Sequence, residues 1–416
     1  MAEASASKTI WYIAKYIAPP GPSTVGSRGY QLMRALVARG DQVALITSDS
    51  NHLAVVPEMA TAHQVQHVDG LQVHWVRTLK FSGAKSIRRI LSWLHFEWRL
   101  LFVPWKELPR PDAIIVSSLS LLTILNGIRL RRRYGATLVF EIRDIWPLTL
   151  VEEGGFSPRN PLVRALGAVE RRGYARADVI VGTMPNLGAH VEQVLGRPAR
   201  VECVPMGYNA AELEEAGDLP IEYRDAGVPE GKFLIGYAGS IGISNALDTF
   251  FECVEAMVDE PDVHFVVVGD GGLRASYEQK YGQLPNVTFV GRVPKAAVQS
   301  VLAEFDVLYF AAHRSRVWDY GQSLNKLIDY MLSGKPVLAS YSGFPSMINE
   351  ADSGVYVEAG DAIALAAEMR RLAKTAPEEL HAMGQRGVQW LRENREYATL
   401  AEDYRAIMFP EQSVSH

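Results

Sequence analysis

The chain has 416 residues, 42 Lys+Arg against 47 Asp+Glu, and a formal charge of −5; 48% of the residues are hydrophobic and 21% charged. These proportions exclude disordered, collagen-like and disulfide-stapled proteins, and the length predicts two or three domains with cores of their own. Cys203 and Cys253 lie far apart with no C-x-x-C spacing, which excludes a thiolate metal cluster and points to a reducing compartment. The opening MAEASASKTI has no signal-like apolar run and no stretch of 18 residues is free of charge, so the expectation is a soluble protein.

In chain order, β-branched and aromatic runs predict strands within residues 9–17, 42–49, 72–76, 113–118, 137–144, 178–183 and 200–205. Helical periodicity separates most of them, as in YQLMRALVARG and NPLVRALGAVERRGYARA. A polar, acid-rich connection over 209–232 follows. The alternation then restarts, with strands predicted within 233–239, 264–270, 287–291, 307–312, 336–341 and 354–360. A helix-rich tail, PEELHAMGQRG to YATLAEDYRAIM, ends the chain. Strands alternating with helices predict an α/β fold: two Rossmann-like, doubly wound parallel-sheet domains in tandem. The expected boundaries are 1–208, 209–392, and a C-terminal helix and tail, 393–416, packing back toward the first domain. Ligands of such sheets bind at the carboxyl ends of the strands.

Charge is unevenly spread. Between Lys80 and Arg133 stand eleven basic residues and three acids, a local +8 that leaves −13 for the rest. Trp93, Trp98 and Trp105 lie in the same stretch.

Five strand-end segments carry candidate chemistry. The loop PPGPSTVGSRG, with Gly26, Arg28 and Gly29, leads into a helix whose first N–H groups could meet an anion. It does not fit G-x-G-x-x-G, which disfavours a nicotinamide or flavin oxidoreductase. Phe140-Glu141-Ile142-Arg143-Asp144-Ile145-Trp146-Pro147 should project Arg143 and Asp144 from the sheet edge; a structural ion pair is the plainer reading. Gly269 and Gly271 mark a turn common to many α/β proteins, and the backbone at Arg292-Val293 could pair with a planar base. In the fifth, His313 to Val337, a basic aromatic loop enters a helix that Ser323 could cap. Lys326 and Asp329, three residues apart, share one face of that helix, so an anion could meet free N–H groups and Lys326 while Asp329 accepts sugar hydroxyls. A simple i,i+3 salt bridge is the alternative.

Taken together, these segments resemble the retaining glycosyltransferase family 4, of GT-B fold. The resemblance runs through PPGPSTVGSRG, ARGDQVALITS, FEIRDIWP, VECVPMGYN, VVVGDGGL, VTFVGRVP and LIDYMLSGKPVLAS, over nearly the whole chain. RDIWP and SLNKLIDYMLSGKP are most similar to the branch containing N-acetyl-fucosaminyl transferases of bacterial surface-polysaccharide assembly. The resemblance implies two domains facing across a cleft. It implies a sugar, an N-acetylated hexose or deoxyhexose, moved from a UDP-type nucleotide sugar to a lipid-linked or growing surface glycan, with retention and without a metal or cofactor.

By the same resemblance Gly26 approaches the donor diphosphate, Arg143 or Asp144 faces the acceptor, Arg292-Val293 binds the base, and Asp329 holds the ribose. The candidates are then Lys326, Asp329 and Asp144 for catalysis. Gly26, Ser240, Asn245, Gly269, Gly271, Arg292, Val293, Ser323, Leu324 and Asn325 are the donor-binding candidates, and Arg28, Arg143 and His95 lie on the acceptor side. Two features depart from the family. The first acid of its E-x7-E signature falls at Gly321, with Asp319 the nearest carboxylate, and Ile241 to Asn245 lacks the family's Arg/Lys pair. Lys326, the helix start at Ser323–Asn325, and Arg314 or Arg316 are expected to stabilise the leaving diphosphate instead. His95 and His313 have plainer structural roles open to them.

Residues 87–105 mix Arg with large apolar side chains at near-helical spacing, which suits an anionic membrane surface; a buried helix with snorkelling arginines is the alternative. The expected location is the cytoplasm, peripheral on the inner membrane face, with no nucleic-acid partner. A GT-B sugar-nucleotide epimerase or hydrolase, and a non-catalytic nucleotide- or glycan-binding subunit, are the competing functions.

Overall fold

Two sheets organise the chain, each built from apolar β-branched runs buried on both faces. The computed structural model describes residues 6–17, 19–21, 26–51, 55–81, 87–210, 213 and 218–410. The chain divides into two compact units, residues 1–209 with 397–416, and residues 210–396.

The first sheet contains β1 (Thr9–Ile13), β2 (Gln42–Ser48), β3 (His63–Val68), β4 (Leu71–Val76), β5 (Ala113–Ser117), β6 (Thr137–Ile142), β7 (Val179–Gly182) and β8 (Val201–Cys203). Their order is β3-β4-β2-β1-β5-β6-β7-β8. All neighbours pair in parallel except β3 with β4. That hairpin, which the periodicity analysis did not predict, turns at Asp69-Gly70, with φ of 48° and 80°. Such Asp-Gly turns match the twist of paired strands. β3 itself reads HQVQHV, too polar to register as a strand because it lies at the sheet edge with half its residues exposed.

The second sheet contains β9 (Phe233–Ala238), β10 (Val263–Val268), β11 (Val287–Val290), β12 (Val307–Ala311), β13 (Val337–Ser340) and β14 (Gly354–Val357). Its order is β11-β10-β9-β12-β13-β14, all parallel. In both sheets the first strand in chain order is central and the order reverses beside it, which opens a crevice at the carboxyl edge.

The helices between strands start where sequence signals place them. Asn160 accepts a hydrogen bond from Leu162 N at 2.9 Å and Pro161 opens the helix Pro161–Arg176, an arrangement that satisfies one orphan donor and removes another. The last helix, Tyr397–Met408, buries Leu400, Ala401 and Tyr404 in the core around β1, beneath the helix Arg28–Ala38. Its first N–H bonds back to the Tyr208 carbonyl at 2.9 Å.

Candidate functional site

The carboxyl edge of the second sheet holds a cavity of about 580 Å³. Five chain segments meet there: the turns after β9, β10 and β11, the helix Val298–Ala303, and the helix Asn325–Leu332 that follows β12. Ser240, Gly269, Gly271, Arg292, Val293, Lys326 and Asp329 all line it.

The glycines are explained first by backbone packing. Gly269 has φ of 133°, and a Cβ there would lie 2.0 Å from the Gly239 carbonyl oxygen. A Cβ on Gly271 would sit 2.3 Å from the Ile241 carbonyl oxygen. The two turns are joined by Gly239 N to Val268 O at 3.0 Å and Ile241 N to Asp270 O at 2.9 Å. Only glycine lets two backbones run this close. Arg274 braces the neighbouring turns, donating to the carbonyls of Gly269 at 2.8 Å and Val290 at 3.2 Å. Arg292 is exposed and has no ion-pair partner among the described residues, which leaves its charge available at the cavity.

Lys326 reaches back toward the end of β9. Its Nζ donates to Asn245 Oδ1 at 2.7 Å and to Tyr237 Oη at 2.9 Å, and stands 4.4 Å from the centre of the Tyr237 ring. Loss of hydration lowers this amine to about 8, so it is charged at neutral pH and easily discharged above it. The Tyr237 hydroxyl in turn donates to the Ser240 carbonyl at 2.6 Å. Tyr330, one turn beyond Lys326, both donates to and accepts from the Ala238 backbone at 2.9 Å, which fixes the helix against β9. Asp329 keeps solvent contact, yet the wall packed around it strips part of its hydration and raises the carboxyl to about 6 against the pull of Lys295. Tyr237, Tyr330 and Arg274 were not among the predicted residues, since buried tyrosines and a helix arginine carry no local signature.

Ser323 does not cap this helix. The extended residue before the first turn is Leu324, with no side-chain cap, so the cap falls one position later than predicted. Neither these two residues nor Asn325 lines the cavity. Gly321, where the family's first acid would stand, has φ of 101°, a conformation that an acidic residue resists and glycine accepts. Arg314 pairs with Glu358 at 2.5 Å and with the Ala359 carbonyl at 3.2 Å, in a neighbouring hollow outside this cavity. His313 bonds the Ile243 carbonyl through Nε2 at 2.7 Å, a structural role.

The first sheet's carboxyl edge is organised differently. Arg28 is 2% exposed, and its guanidinium donates to Glu141 Oε2 at 2.7 Å, Pro205 O at 2.9 Å and Val204 O at 2.5 Å. Glu141 also accepts from Tyr12 at 2.5 Å and Tyr404 at 3.2 Å. Burial pushes its carboxyl up, but Arg28 and Arg143 outweigh that and hold it below the usual value. The expectation that Arg28 meets an acceptor is therefore corrected: it is a strut between β6, the segment after β8 and its own helix. Gly26 is held small by Tyr30, whose ring carbon would lie 2.5 Å from a Cβ; Pro22 to Val25 lie outside the described residues.

Arg143 and Asp144 do emerge at the end of β6, where Ser118 Oγ accepts from Arg143 N at 2.9 Å. The Arg143 Nε is buried with no hydrogen-bond partner. Partial desolvation raises the Asp144 carboxyl, opposed by Arg143 and Arg89. His95 accepts from Leu79 N through Nδ1 at 2.9 Å and stacks on Trp98, so this nitrogen is committed to the fold. Sequence reasoning missed Lys15, wholly buried just past β1, with Ser48 Oγ at 3.2 Å and Ser92 Oγ at 3.0 Å. Burial lowers it to about 7, although Asp49 and Glu97 pull the other way. A lysine interrupting the apolar run TIWYIAKYI was the available signal.

Fold and cavity define a protein of the GT-B class, two parallel-sheet α/β domains with a cavity at a strand edge. Residues 23–207 match the glycosyl transferase 4-like domain and residues 232–375 match the glycosyl transferases group 1 family. The chain carries these two domains in succession and is a glycosyltransferase. Solved structures of similar fold include sucrose-phosphate synthase from Thermosynechococcus elongatus, with a TM-score of 0.69 at 18% identity, covering 96% of this chain and 98% of that one. An E. coli trehalose-6-phosphate structure bound with UDP-2-fluoro glucose gives 0.72 at 14% identity, over 96% and 98%. Anabaena HepE in complex with UDP-glucose gives 0.62 at 13%, over 96% and 99%. No curated protein matches the sequence.

Proposed function

We propose that the protein transfers a glycosyl group from a UDP-type nucleotide sugar, with retention and without a metal, to a lipid-linked or growing surface glycan. The observation that carries this reading is the convergence of Lys326, Asp329, Arg292 and the Gly239–Gly271 turns on one cavity. The uracil lies against Val293 and the backbone beside Arg292, Asp329 accepts the ribose hydroxyls, and Lys326 turns from Asn245 to the diphosphate. A departing diphosphate needs its developing charge neutralised, and Lys326 supplies that. Arg143 and Asp144 hold the acceptor, whose proton leaves with the phosphate on the same face. UDP-sugar complexes among the similar structures support the donor class. The finer sugar, an N-acetylated hexose or deoxyhexose, rests on the likeness of RDIWP and SLNKLIDYMLSGKP to the N-acetyl-fucosaminyl branch.

The basic segment 80–133 supports docking on the anionic inner face of a membrane, where a lipid-linked acceptor would be presented. No helix of the described residues is long and apolar enough to cross a membrane. Calorimetry with UDP, GDP and dTDP tests the donor reading: tight UDP binding lost in Lys326→Ala supports it, and equal binding by both proteins overturns it. Donor turnover that needs no acceptor would favour an epimerase or hydrolase; donor binding without turnover would favour a binding subunit.

A further inference from the structure

The segment 80–133 is not one surface. Trp105 is 2% exposed and donates to the Leu100 carbonyl, while Trp93 donates to Tyr16 Oη at 2.8 Å and meets the Trp146 ring edge-on. These two tryptophans serve the fold. Among the described residues of the segment, the most exposed apolar ones are Leu91, Leu94, Trp98, Leu101 and Phe102, between 48% and 63% exposed.

Beside them the helix Thr123–Tyr134 and the helix Pro161–Arg176 frame a hollow of about 560 Å³, lined by Leu125, Ile128, Arg129, Arg132, Arg133 and Arg172. Four guanidinium groups face it and no carboxylate does. The contrast with adjacent arginines is informative. Arg131 is neutralised by Asp178, and Arg171 is bonded to the Val194 carbonyl at 2.9 Å. None of the four in the hollow has an ion-pair partner among the described residues, and Arg129 buries Nε and Nη2 with no hydrogen-bond partner. Burial, and after it the nearby Arg133, pull Arg129 below its ordinary value. Basic residues in a last helical turn complement the macrodipole, which accounts for Arg132 and Arg133 but not for Arg172 on another helix.

A second hollow, about 490 Å³, continues from the first through the shared Leu125 and Arg129; Leu94, Trp98, Leu101 and Leu122 make its lining mostly apolar, and its two other polar residues, Glu97 and Asn126, are bonded to each other at 2.8 Å. An unpaired cationic hollow joined to an apolar groove matches one ligand chemistry, an anion carrying a hydrocarbon chain. Nucleic acid would use the arginines and leave the groove empty.

We propose that this face binds an anionic membrane phospholipid, with the phosphate held by Arg129, Arg132, Arg133 and Arg172 and one acyl chain lying along Leu94 and Trp98. This deepens the membrane part of the function proposed above and rests on it. The test is flotation of the full chain on phosphatidylcholine vesicles with and without phosphatidylglycerol. The variant R129Q/R132Q/R133Q/R172Q should bind phosphatidylglycerol vesicles roughly several hundredfold more weakly, and the exposed Arg172→Gln alone about fivefold. A control removing equal charge from the same unit, R39Q/R159Q/R164Q/R197Q, should stay within about twofold, since screening limits charges beyond the hollow. Trp98→Ser with Leu101→Ser should weaken binding about tenfold whichever lipid is used.

Equal losses in the two four-arginine variants would overturn the proposal, as would binding indifferent to phosphatidylglycerol. Release by inorganic phosphate, or by an oligonucleotide, would overturn it in favour of those ligands. UDP calorimetry on the same proteins separates the two readings. Intact UDP binding beside failed lipid arms removes only the phospholipid site. Absent UDP binding with the lipid arms fulfilled removes only the donor reading.

Discussion

In each sheet a tyrosine of the opening strand points its hydroxyl at a charged side chain, Tyr12 at Glu141 in one and Tyr237 at Lys326 in the other. The surroundings separate them. Arg28 and Glu141 complete each other, with backbone carbonyls and two tyrosines filling the remaining positions, and neither reaches solvent. Lys326 has one aromatic and one amide partner, no carboxylate bonded to it, and a cavity on its open side. A buried charge whose partners are all internal holds the fold, because any ligand would have to break an existing bond to reach it. A charge with neutral partners at a cavity wall is held in place yet remains attractive to an anion.

That contrast can be broken by substitution. Arg28→Met leaves Glu141 buried without its countercharge and should cost about 3–5 kcal/mol in chemical denaturation of the protein. UDP affinity of whatever remains folded should be unchanged. Because the Glu141 carboxyl is held below its unfolded value of about 4.3, its contribution is present above that pH and is lost as pH falls through the folded value. The Glu141→Gln variant should therefore show a flatter acid-denaturation curve than the parent.

Gly269→Ala comes next. Its Cβ meets the Gly239 carbonyl, so about 1–3 kcal/mol of stability and most UDP binding should go together, read by thermal melting with and without UDP.

Lys326→Ala should leave melting nearly unchanged but lower UDP affinity by roughly tenfold to a hundredfold, the value of a charge-assisted hydrogen bond. Since the amine discharges near 8, affinity should fall as pH rises past that value, and the variant should lose this dependence. The smallest effect belongs to Asp329→Asn, about tenfold in donor affinity above pH 6 and little below it, because the carboxyl is protonated there. Equal pH profiles for Asp329→Asn and the parent would remove Asp329 from the ribose role. Protein stability should move oppositely for the two groups. The raised Asp329 loses stability as pH climbs from the unfolded carboxyl value to about 6, and the lowered Lys326 gains it between about 8 and 10.4.

Most strands were legible because a parallel sheet covered on both faces needs uninterrupted apolar runs, which residues 265–268 and 307–311 supply. The hairpin at Asp69-Gly70 escaped because an edge strand such as HQVQHV has no buried face to enforce a pattern. Among the candidate residues, Lys326 and Asp329 were legible as polar breaks in an apolar helix face. Arg28 was misread, since a charge beside a glycine loop looks alike whether it faces solvent or a buried glutamate in a strand more than a hundred residues away. Ser323 was misread by one position, because capping depends on where the backbone leaves the extended region.

Sequence by itself determined the alternation of strands and helices, the two-domain class and the strand-end turns, all of which follow from local periodicity and turn chemistry. It also held the reason for the missing acid, since a glycine at residue 321 permits the positive φ the chain adopts there. Tertiary structure decided which charges are spent and which remain available. Pairing is a property of side chains brought together from distant segments, so Arg28 and Arg131 were consumed while Lys326, Arg129 and Arg172 were left facing open hollows.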